Sequence, residues 1–178
     1  MKTVFSTFVK VNLVFLAIIS LHSCNKEKKA QITSEITVVA KTPKKELIRR
    51  PLVFITGVDG TYGSFYTNAR AFFEKQDFEI VDGQYSLEEI INWMNKNHNN
   101  TKYGEVHIVN KSNPFQGMTL ETTIHGEKVT ESALDEKIAN QKIPALQNVI
   151  SDETKFVLHA NGIAENEFLV DNFKTVFS

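Results

Sequence analysis

The stretch Leu52-Val53-Phe54-Ile55-Thr56-Gly57 decides the fold of this 178-residue chain. Its first four residues are all apolar, and a glycine ends the run. A strand that is covered on both faces shows a continuous apolar run, whereas a strand with one face in water alternates between apolar and polar residues. The stretch therefore predicts a central strand of a parallel sheet.

Strands and helices alternate along the chain after this first strand. The other predicted strands are residues 78–81, 106–109 and 155–159. The predicted helices are residues 64–76, a helix that begins at Ser86 with Glu89 as its capping-box partner, a helix that begins at Thr130, and residues 164–177. Such alternation is typical of a sheet with right-handed crossovers and helices on both faces. We therefore expect an α/β three-layer sandwich with a mainly parallel sheet in the strand order 2-1-3-4.

Apolar spacing predicts which helix positions face the core. In the first helix these positions are Phe65, Ala69, Phe72 and Phe73, and in the last helix they are Phe168, Leu169 and Phe173. A small β-hairpin insertion is also predicted before the third helix. In this hairpin, residues 118–122 pair with residues 128–129 across the turn His125-Gly126.

The N-terminus has the organisation of an export signal. Lys2 and Lys10 accompany the apolar run at residues 11–21, which is short for a transmembrane helix of about 20 residues. The run closes on Leu21-His22-Ser23-Cys24, which resembles the lipobox of bacterial lipoproteins, although His22 stands where a small residue is usual. The resemblance implies a signal peptide at residues 1–23 and a lipid on Cys24. We therefore expect an exported protein anchored to a bacterial membrane, the outer membrane, on its periplasmic or outer side; the alternative is an ordinary secretory signal with an incidental thiol.

Residues 24–50 are predicted to be a flexible tether that precedes the domain at residues 51–178. The segment is rich in Lys, Thr and Glu and has few large apolar residues. Residues 32–39 are the exception, and they either add an edge strand or stay extended. The lysines of the tether either contact anionic headgroups or belong to a solvated spacer.

Cys24 is the only cysteine in the chain. If lipid occupies its thiol, the folded domain has no disulfide, no cysteine nucleophile and no cysteine metal ligand. Removal of the leader, whose only charged residues are Lys2 and Lys10, takes the formal net charge from −1 to −3. This acidic balance gives no reason to expect nucleic acid as a partner. No spacing of His or acidic residues resembles a metal site such as HExxH, and we expect neither a metal nor another cofactor.

The carboxyl edge of the sheet is where a site is expected, because open parallel sheets bind ligands there. The loops at this edge contain the candidate binding residues Asp59, Asn110, Asn113, Asn161 and Gly162. The first loop, residues 56–63, is rich in glycine but lacks the Gly-Lys-Ser/Thr ending of a P-loop and the GxGxxG spacing of a dinucleotide site. Its glycines are therefore interpreted as turn formers, and Asp59 as a cap or a substrate-binding group.

Two of these loops carry a resemblance to a protease family. The two blocks are Val106-His107-Ile108-Val109-Asn110-Lys111-Ser112 and Phe156-Val157-Leu158-His159-Ala160-Asn161-Gly162. They resemble the blocks of caspase-, gingipain- and clostripain-type cysteine peptidases, in which a catalytic His and a catalytic Cys directly follow two apolar strands. Positions 111 and 161 are 50 residues apart, close to the roughly 50 residues between His and Cys in caspases. The resemblance covers about residues 51–177 and implies a caspase-like domain; because such domains normally have further strands, the fold is minimal or the C-terminus is truncated.

The chain departs from this family at the reactive positions. Lys111 stands where the His is expected, Ser112 where a Gly usually follows it, and Asn161 where the Cys is expected. The family's mechanism needs a thiolate to attack the carbonyl and an imidazole to protonate the leaving amine. Asparagine is no such nucleophile, and an ordinary lysine has a pKa of about 10.4. The resemblance therefore implies a pseudoenzyme that binds a peptide or a protein partner.

Two other interpretations stay open. One is an active serine-type hydrolase in which Ser112 is the nucleophile and His159 is the base, with Asp59 as a third member. The other is a structural envelope lipoprotein with no site. His107 lies inside a predicted strand and is interpreted as a packed, hydrogen-bonded histidine in all three cases.

Overall fold

The computed structural model describes residues 49–178; the signal peptide, Cys24 and the tether up to residue 48 lie outside the described residues. The elements in chain order are β1 (Leu52–Ile55), α1 (Phe65–Glu74), β2 (Glu79–Asp82), α2 (Leu87–Asn97), β3 (Glu105–Val109), β4 (Ser112–Asn113), β5 (Gly117–Met118), α3 (Glu131–Ala139), β6 (Lys155–His159), a 3-10 turn (Ile163–Glu165) and α4 (Glu167–Val176). No helix within residues 49–178 is long and apolar enough to cross a membrane.

Four strands form one parallel sheet in the order β2-β1-β3-β6. The quoted stretch supplies β1, which pairs with β2 on one side and with β3 on the other. All four residues of β1 are buried, with exposed fractions of 2% or less. The predicted α/β architecture and the predicted strand order are therefore confirmed, β6 being the fourth predicted strand.

Helices cover the two faces of the sheet unequally. Side chains of α2, α3 and α4 pack on one face, against Leu52, Phe54, Val106 and Ile108. Among the described residues, α1 alone covers the other face, where Tyr66 and Phe73 pack against β1 and β3. Right-handed crossovers explain the division, because the chain moves from β1 to β2 in one direction and makes every later crossover in the opposite direction. The face under α1 is consequently only half covered where it reaches β6.

Local capping sets where two of the helices begin. The backbone N–H of Glu89 donates to Ser86 Oγ at 3.2 Å, and that of Ser86 donates to Glu89 Oε2 at 2.9 Å, so the predicted capping box is confirmed. The predicted helix at 164–177 is wrong in its first turn. Asn166 Oδ1 accepts a hydrogen bond from the N–H of Leu169 at 2.9 Å, so that α4 begins at Glu167 after a separate 3-10 turn.

Several predicted core positions of the helices are exposed. Leu169 and Phe173 are buried as expected, but Phe168 has an exposed fraction of 72%. In α1, Phe73 is buried, whereas Phe72 is 55% exposed and Phe65 is 38% exposed. Phe168 is the second residue of α4 and, one position before Leu169, points away from the stripe that Leu169 and Phe173 share.

The insertion before α3 contains the short hairpin β4–β5, which the sequence analysis interpreted as a loop. Its turn ends at Gly117, which has a φ of +77°, and a Cβ atom there would lie 2.1 Å from the carbonyl oxygen of Val129. The predicted pairing of residues 118–122 with residues 128–129 is present in a reduced form. It consists of backbone hydrogen bonds such as Val129 N to Leu120 O at 2.8 Å and one bridge between Glu121 and Lys128, without a continuous ladder.

Candidate functional site

The buried side chain of Asn110 organises the carboxyl edge. Its Nδ2 donates to Thr56 Oγ1 at 2.7 Å, and the Thr56 hydroxyl donates in turn to the carbonyl of Val109 at 2.7 Å. Its Oδ1 accepts from the N–H groups of Thr119 at 2.9 Å and Leu120 at 3.2 Å. Asn110 has an exposed fraction of 0%, and all its polar atoms have partners. The structure therefore makes this predicted binding residue a joint between β1, β3 and the insertion rather than a ligand contact.

Asp59 caps α1 from the preceding loop. Its two carboxylate oxygens accept hydrogen bonds from the N–H groups of Tyr66 at 3.1 Å and Thr67 at 2.8 Å. The residue at the N-cap position itself, Ser64, provides no capping hydrogen bond to a backbone N–H of the helix. Burial raises the pKa of Asp59, but these hydrogen bonds and the one from Lys111 together outweigh it, and the pKa falls from 3.8 to about 2. Of the two predicted roles for Asp59, the structure supplies the cap.

Lys111, two residues after the end of β3, forms an ion pair with Asp59 in the same loop. Its Nζ lies 3.4 Å from Asp59 Oδ1, 5.2 Å from the centre of the Tyr66 ring and 5.9 Å from that of Phe65. Its backbone N–H donates to the Tyr66 hydroxyl at 3.0 Å. The ammonium group is thus held by a carboxylate and two aromatic faces at the position where the resemblance expects a catalytic imidazole.

The loops after β3 and β6 are fastened to each other. The hydroxyl of Ser112 donates to the carbonyl oxygen of Asn161 at 2.8 Å. Gly162 has a φ of +70°, and a Cβ atom there would lie 2.7 Å from Pro114 Cδ, so only glycine fits this close approach. Because the Ser112 hydroxyl is directed to Asn161, the alternative hydrogen bond to His159 is not formed in this structure. Ser112, Asn161 and Gly162 lie where the two loops meet, and their contacts join these loops.

A chain of four polar side chains crosses β3 and β6 under α1, and the sequence analysis missed it. Lys155 Nζ lies 3.1 Å from Glu105 Oε1, that oxygen lies 2.9 Å from His107 Nε2, and His107 Nδ1 lies 2.7 Å from His159 Nε2. The two imidazoles are stacked with centroids 4.9 Å apart, and the edge of Phe73 meets both. His107 is 8% exposed and hydrogen-bonded, so its interpretation as a packed histidine is confirmed.

The donor and acceptor roles of these four side chains determine which imidazole nitrogen atoms carry a proton. A carboxylate only accepts, so Glu105 requires a proton on His107 Nε2, and His107 Nδ1 then accepts from His159 Nε2–H. Hydrogen bonds from His107 and Lys155 lower the pKa of Glu105. Burial, and then repulsion from His107, lowers the pKa of His159. In this arrangement His159 is a neutral, oriented partner of His107. Within residues 49–178, no group of three His, Cys, Asp or Glu side chains is placed to hold a metal ion.

Two shallow clefts open at the carboxyl edge. The first has a volume of about 400 Å³, lies between the loops after β1 and β2, and includes the ion pair of Arg70 with Asp82. The second has a volume of about 390 Å³ and lies between the β4–β5 hairpin and the start of α4. Its lining residues are Pro114, Phe115, Glu165, Asn166, Glu167 and Phe168.

Three of the connections that follow the strands, and the first turn of α4, each expose an aromatic side chain at this edge. These four residues, called the edge aromatics below, are Tyr62, Tyr85, Phe115 and Phe168. Tyr62 is fully exposed, Phe115 is 93% exposed, Phe168 is 72% exposed and Tyr85 is 47% exposed. Single exposed apolar residues are ordinary, but several along one edge are typical of an interaction surface. Of the predicted binding residues, Asn113 contributes here, because its Oδ1 accepts from the N–H of Phe115 at 2.9 Å and so fixes the turn that presents that ring.

Comparison with known proteins identifies no relative. No family model, no curated protein and no solved structure matches the chain. A function therefore has to be inferred from the described residues themselves. They provide hydrogen-bonded polar side chains, two clefts and the edge aromatics.

Replacement of Asn110 by Ala is expected to destabilise the domain strongly. The change leaves the buried N–H of Leu120 without its acceptor, at a cost of about 1–3 kcal/mol. It also removes the donor to Thr56 Oγ1 and one of the two acceptors of the Thr119 N–H, which keeps its bond to the Lys111 carbonyl at 2.9 Å. We expect the free energy of unfolding, measured by urea denaturation, to fall by about 2 kcal/mol or more. The exposed helix residue Asn68 provides the control, because Asn68→Ala is expected to stay within about 0.5 kcal/mol. Equal effects of the two changes would contradict the role given to Asn110.

The histidine pair predicts a loss of stability in mild acid. Because the pKa of His159 is lower in the folded state than its ordinary value of 6.5, the unfolded chain binds more protons as the pH falls through this range. The urea midpoint of the wild type should therefore decrease as the pH is lowered from about 7.5 to about 5.5, and His159→Gln should flatten this decrease. The exposed His125 is the control, and His125→Asn should keep the wild-type slope. A slope that is unchanged in His159→Gln would refute the assignment.

Proposed function

We propose that this protein is a lipid-anchored protein of the cell envelope whose α/β domain binds a peptide or a protein partner and has no catalytic activity of its own. The observation that carries the proposal is the set of edge aromatics, three from connections at the carboxyl edge of the sheet and one from the first turn of α4. Aromatic side chains offer a large contact area at a low cost in conformational entropy, and they dominate the binding energy of many protein interfaces.

The polar residues of the edge support binding rather than catalysis. Lys111 is paired with Asp59, and Ser112 donates to a backbone carbonyl. His159 is hydrogen-bonded to His107. A nucleophile and its base have to lie within hydrogen-bond reach of each other and of a substrate, and these groups are directed to internal partners instead. This agrees with the resemblance to cysteine peptidases, because this chain has Lys111 and Asn161 at the two positions where that family has its reactive residues.

The rigidity of the edge also favours a binding role. The amide of Asn110, the cap by Asp59 and the bond between Ser112 and Asn161 hold three of the loops that carry the edge aromatics. A preorganised surface loses less conformational entropy when a partner binds, so more of the contact energy becomes affinity.

Peptides selected from a phage-displayed library on the domain should bind through the edge aromatics. We expect Tyr62→Ala, Phe115→Ala and Phe168→Ala each to weaken the selected peptides, because truncation of an interface anchor costs about 2 kcal/mol or more. Isothermal titration of synthetic peptides gives the affinities. Phe72→Ala is the matched control, because Phe72 is also an exposed phenylalanine but lies near the C-terminal end of α1. Peptides whose binding is indifferent to all three edge substitutions would contradict the proposal, as would turnover of the peptides or labelling of Ser112 by a fluorophosphonate.

The anchor is tested separately by Cys24→Ala. Several acyl chains on one terminus give effectively stable membrane attachment, since each buried CH₂ contributes about 0.8 kcal/mol. In a bacterial host fed an alkyne-bearing fatty acid, the wild type should take up the label and sediment with membranes, whereas Cys24→Ala should do neither. Ser23→Ala is the control that keeps the thiol. Release of unlabelled wild-type protein into the soluble fraction would identify an ordinary secretory signal.

A further inference from the structure

The second cleft has two aromatic walls and an acidic rim. Phe115 projects from the turn of the β4–β5 hairpin, and Phe168 projects from the first turn of α4. Glu165 and Glu167 are exposed and line the same cleft. We call this the Phe115–Phe168 cleft. Both phenylalanines are more than two-thirds exposed, so water contacts rings that a partner would bury.

Contacts between the loops after β3 and β6 hold the two walls of the cleft in place. The bond from Ser112 to Asn161 and the contact of Gly162 with Pro114 join the hairpin to the connection that leads into α4. Asn166, on the cleft lining, is itself fixed by its hydrogen bond with the N–H of Leu169. The distance between the two rings is therefore set by packing before any ligand arrives.

The charge of the rim specifies the chemistry of a partner. Among residues 49–178, neither Glu165 nor Glu167 takes part in an ion pair. Glu167 stands in the first turn of α4, where the helix dipole stabilises a carboxylate without any cation. In the first cleft, by contrast, the charges of Arg70 and Asp82 already neutralise each other. The Phe115–Phe168 cleft is thus an apolar slot beside two uncompensated negative charges.

We propose that the Phe115–Phe168 cleft binds a segment of a partner protein in which apolar side chains are flanked by lysine or arginine. The apolar side chains fill the space between the two rings, and the basic side chains reach the carboxylates of Glu165 and Glu167. Complementary rim charges act mainly on specificity and on the rate of association, and buried aromatic anchors supply most of the affinity. This inference rests on the proposed binding function and names the class of partner for one part of the edge.

The test uses three fluorescein-labelled peptides of about ten residues, a length suited to a groove of this kind. In the first peptide lysines flank a pair of leucines, in the second glutamates replace the lysines, and in the third serines replace the leucines. Fluorescence anisotropy should show that the wild-type domain binds the first peptide at least about tenfold more tightly than either of the others. Raising the salt concentration should reduce the difference between the lysine and glutamate peptides, because the rim charges are exposed.

Variants of the full chain locate the binding in this cleft. Phe115→Ala and Phe168→Ala should each weaken the lysine peptide at least about tenfold, and the exposure of both rings leaves the fold intact. The double change Glu165→Gln with Glu167→Gln should reduce the preference for lysine over glutamate. The pair Asp152→Asn with Glu153→Gln is the control for net charge, since both residues are exposed at the opposite end of β6, and Phe72→Ala is the control for an exposed ring.

The outcomes separate this inference from the proposed function. Equal binding of the lysine and glutamate peptides, or binding that ignores Phe115 and Phe168, overturns the inference. If phage-selected peptides still depend on Tyr62 in that case, the proposed function stands without it. Dimerisation in sedimentation experiments that is abolished by Phe168→Ala would make a second copy of the chain the occupant and would also overturn the inference.

Discussion

The amide of Asn110 has no contact with water, and yet the whole carboxyl edge of this domain depends on it. It joins the end of β1, through Thr56, to the backbone of the insertion at Thr119 and Leu120. Three segments, one of them 54 residues away from Asn110 in the sequence, thus satisfy one another's buried polar groups. Buried polar groups are costly unless they are paired, so these segments hold one another in a single arrangement. The loops that carry Tyr62 and Phe115 start from this fixed point.

Unequal coverage of the sheet explains the histidine pair. Three helices make one face a continuous apolar core, whereas, among the described residues, α1 alone covers the other face and leaves its β6 side half-buried. A half-buried surface tolerates polar side chains if they are hydrogen-bonded. His107 and His159 meet this condition through each other and through Glu105. His159, which the sequence analysis considered as a catalytic base, is therefore part of a hydrogen-bonded layer that supports α1.

Lys111 and Asn161, at the positions where the peptidase family has its reactive residues, have a different role from the aromatic residues near them. Lys111 and the backbone carbonyl of Asn161 bind neighbouring loops and hold them together, while the rings of Phe115 and Phe168 are exposed. Catalysis needs polar groups left free and aimed at a substrate, whereas recognition of a protein needs apolar groups left free on a rigid support. The distribution of satisfied and exposed groups at this edge follows the second pattern, which is why we propose a binding module.

The sequence by itself determined the parallel sheet, its strand order and the capping box at Ser86, because these features follow from apolar runs and from spacings within a few residues. It also indicated which loops would meet, since the carboxyl ends of parallel strands share one edge. Only the tertiary structure decided what the residues in those loops do. The saturation of Asn110, the pairing of His107 with His159 and the exposure of Phe168 after the cap at Asn166 depend on how segments up to about fifty residues apart pack against each other. A linear pattern contains the residue types that allow such contacts but not the distances that bring them about.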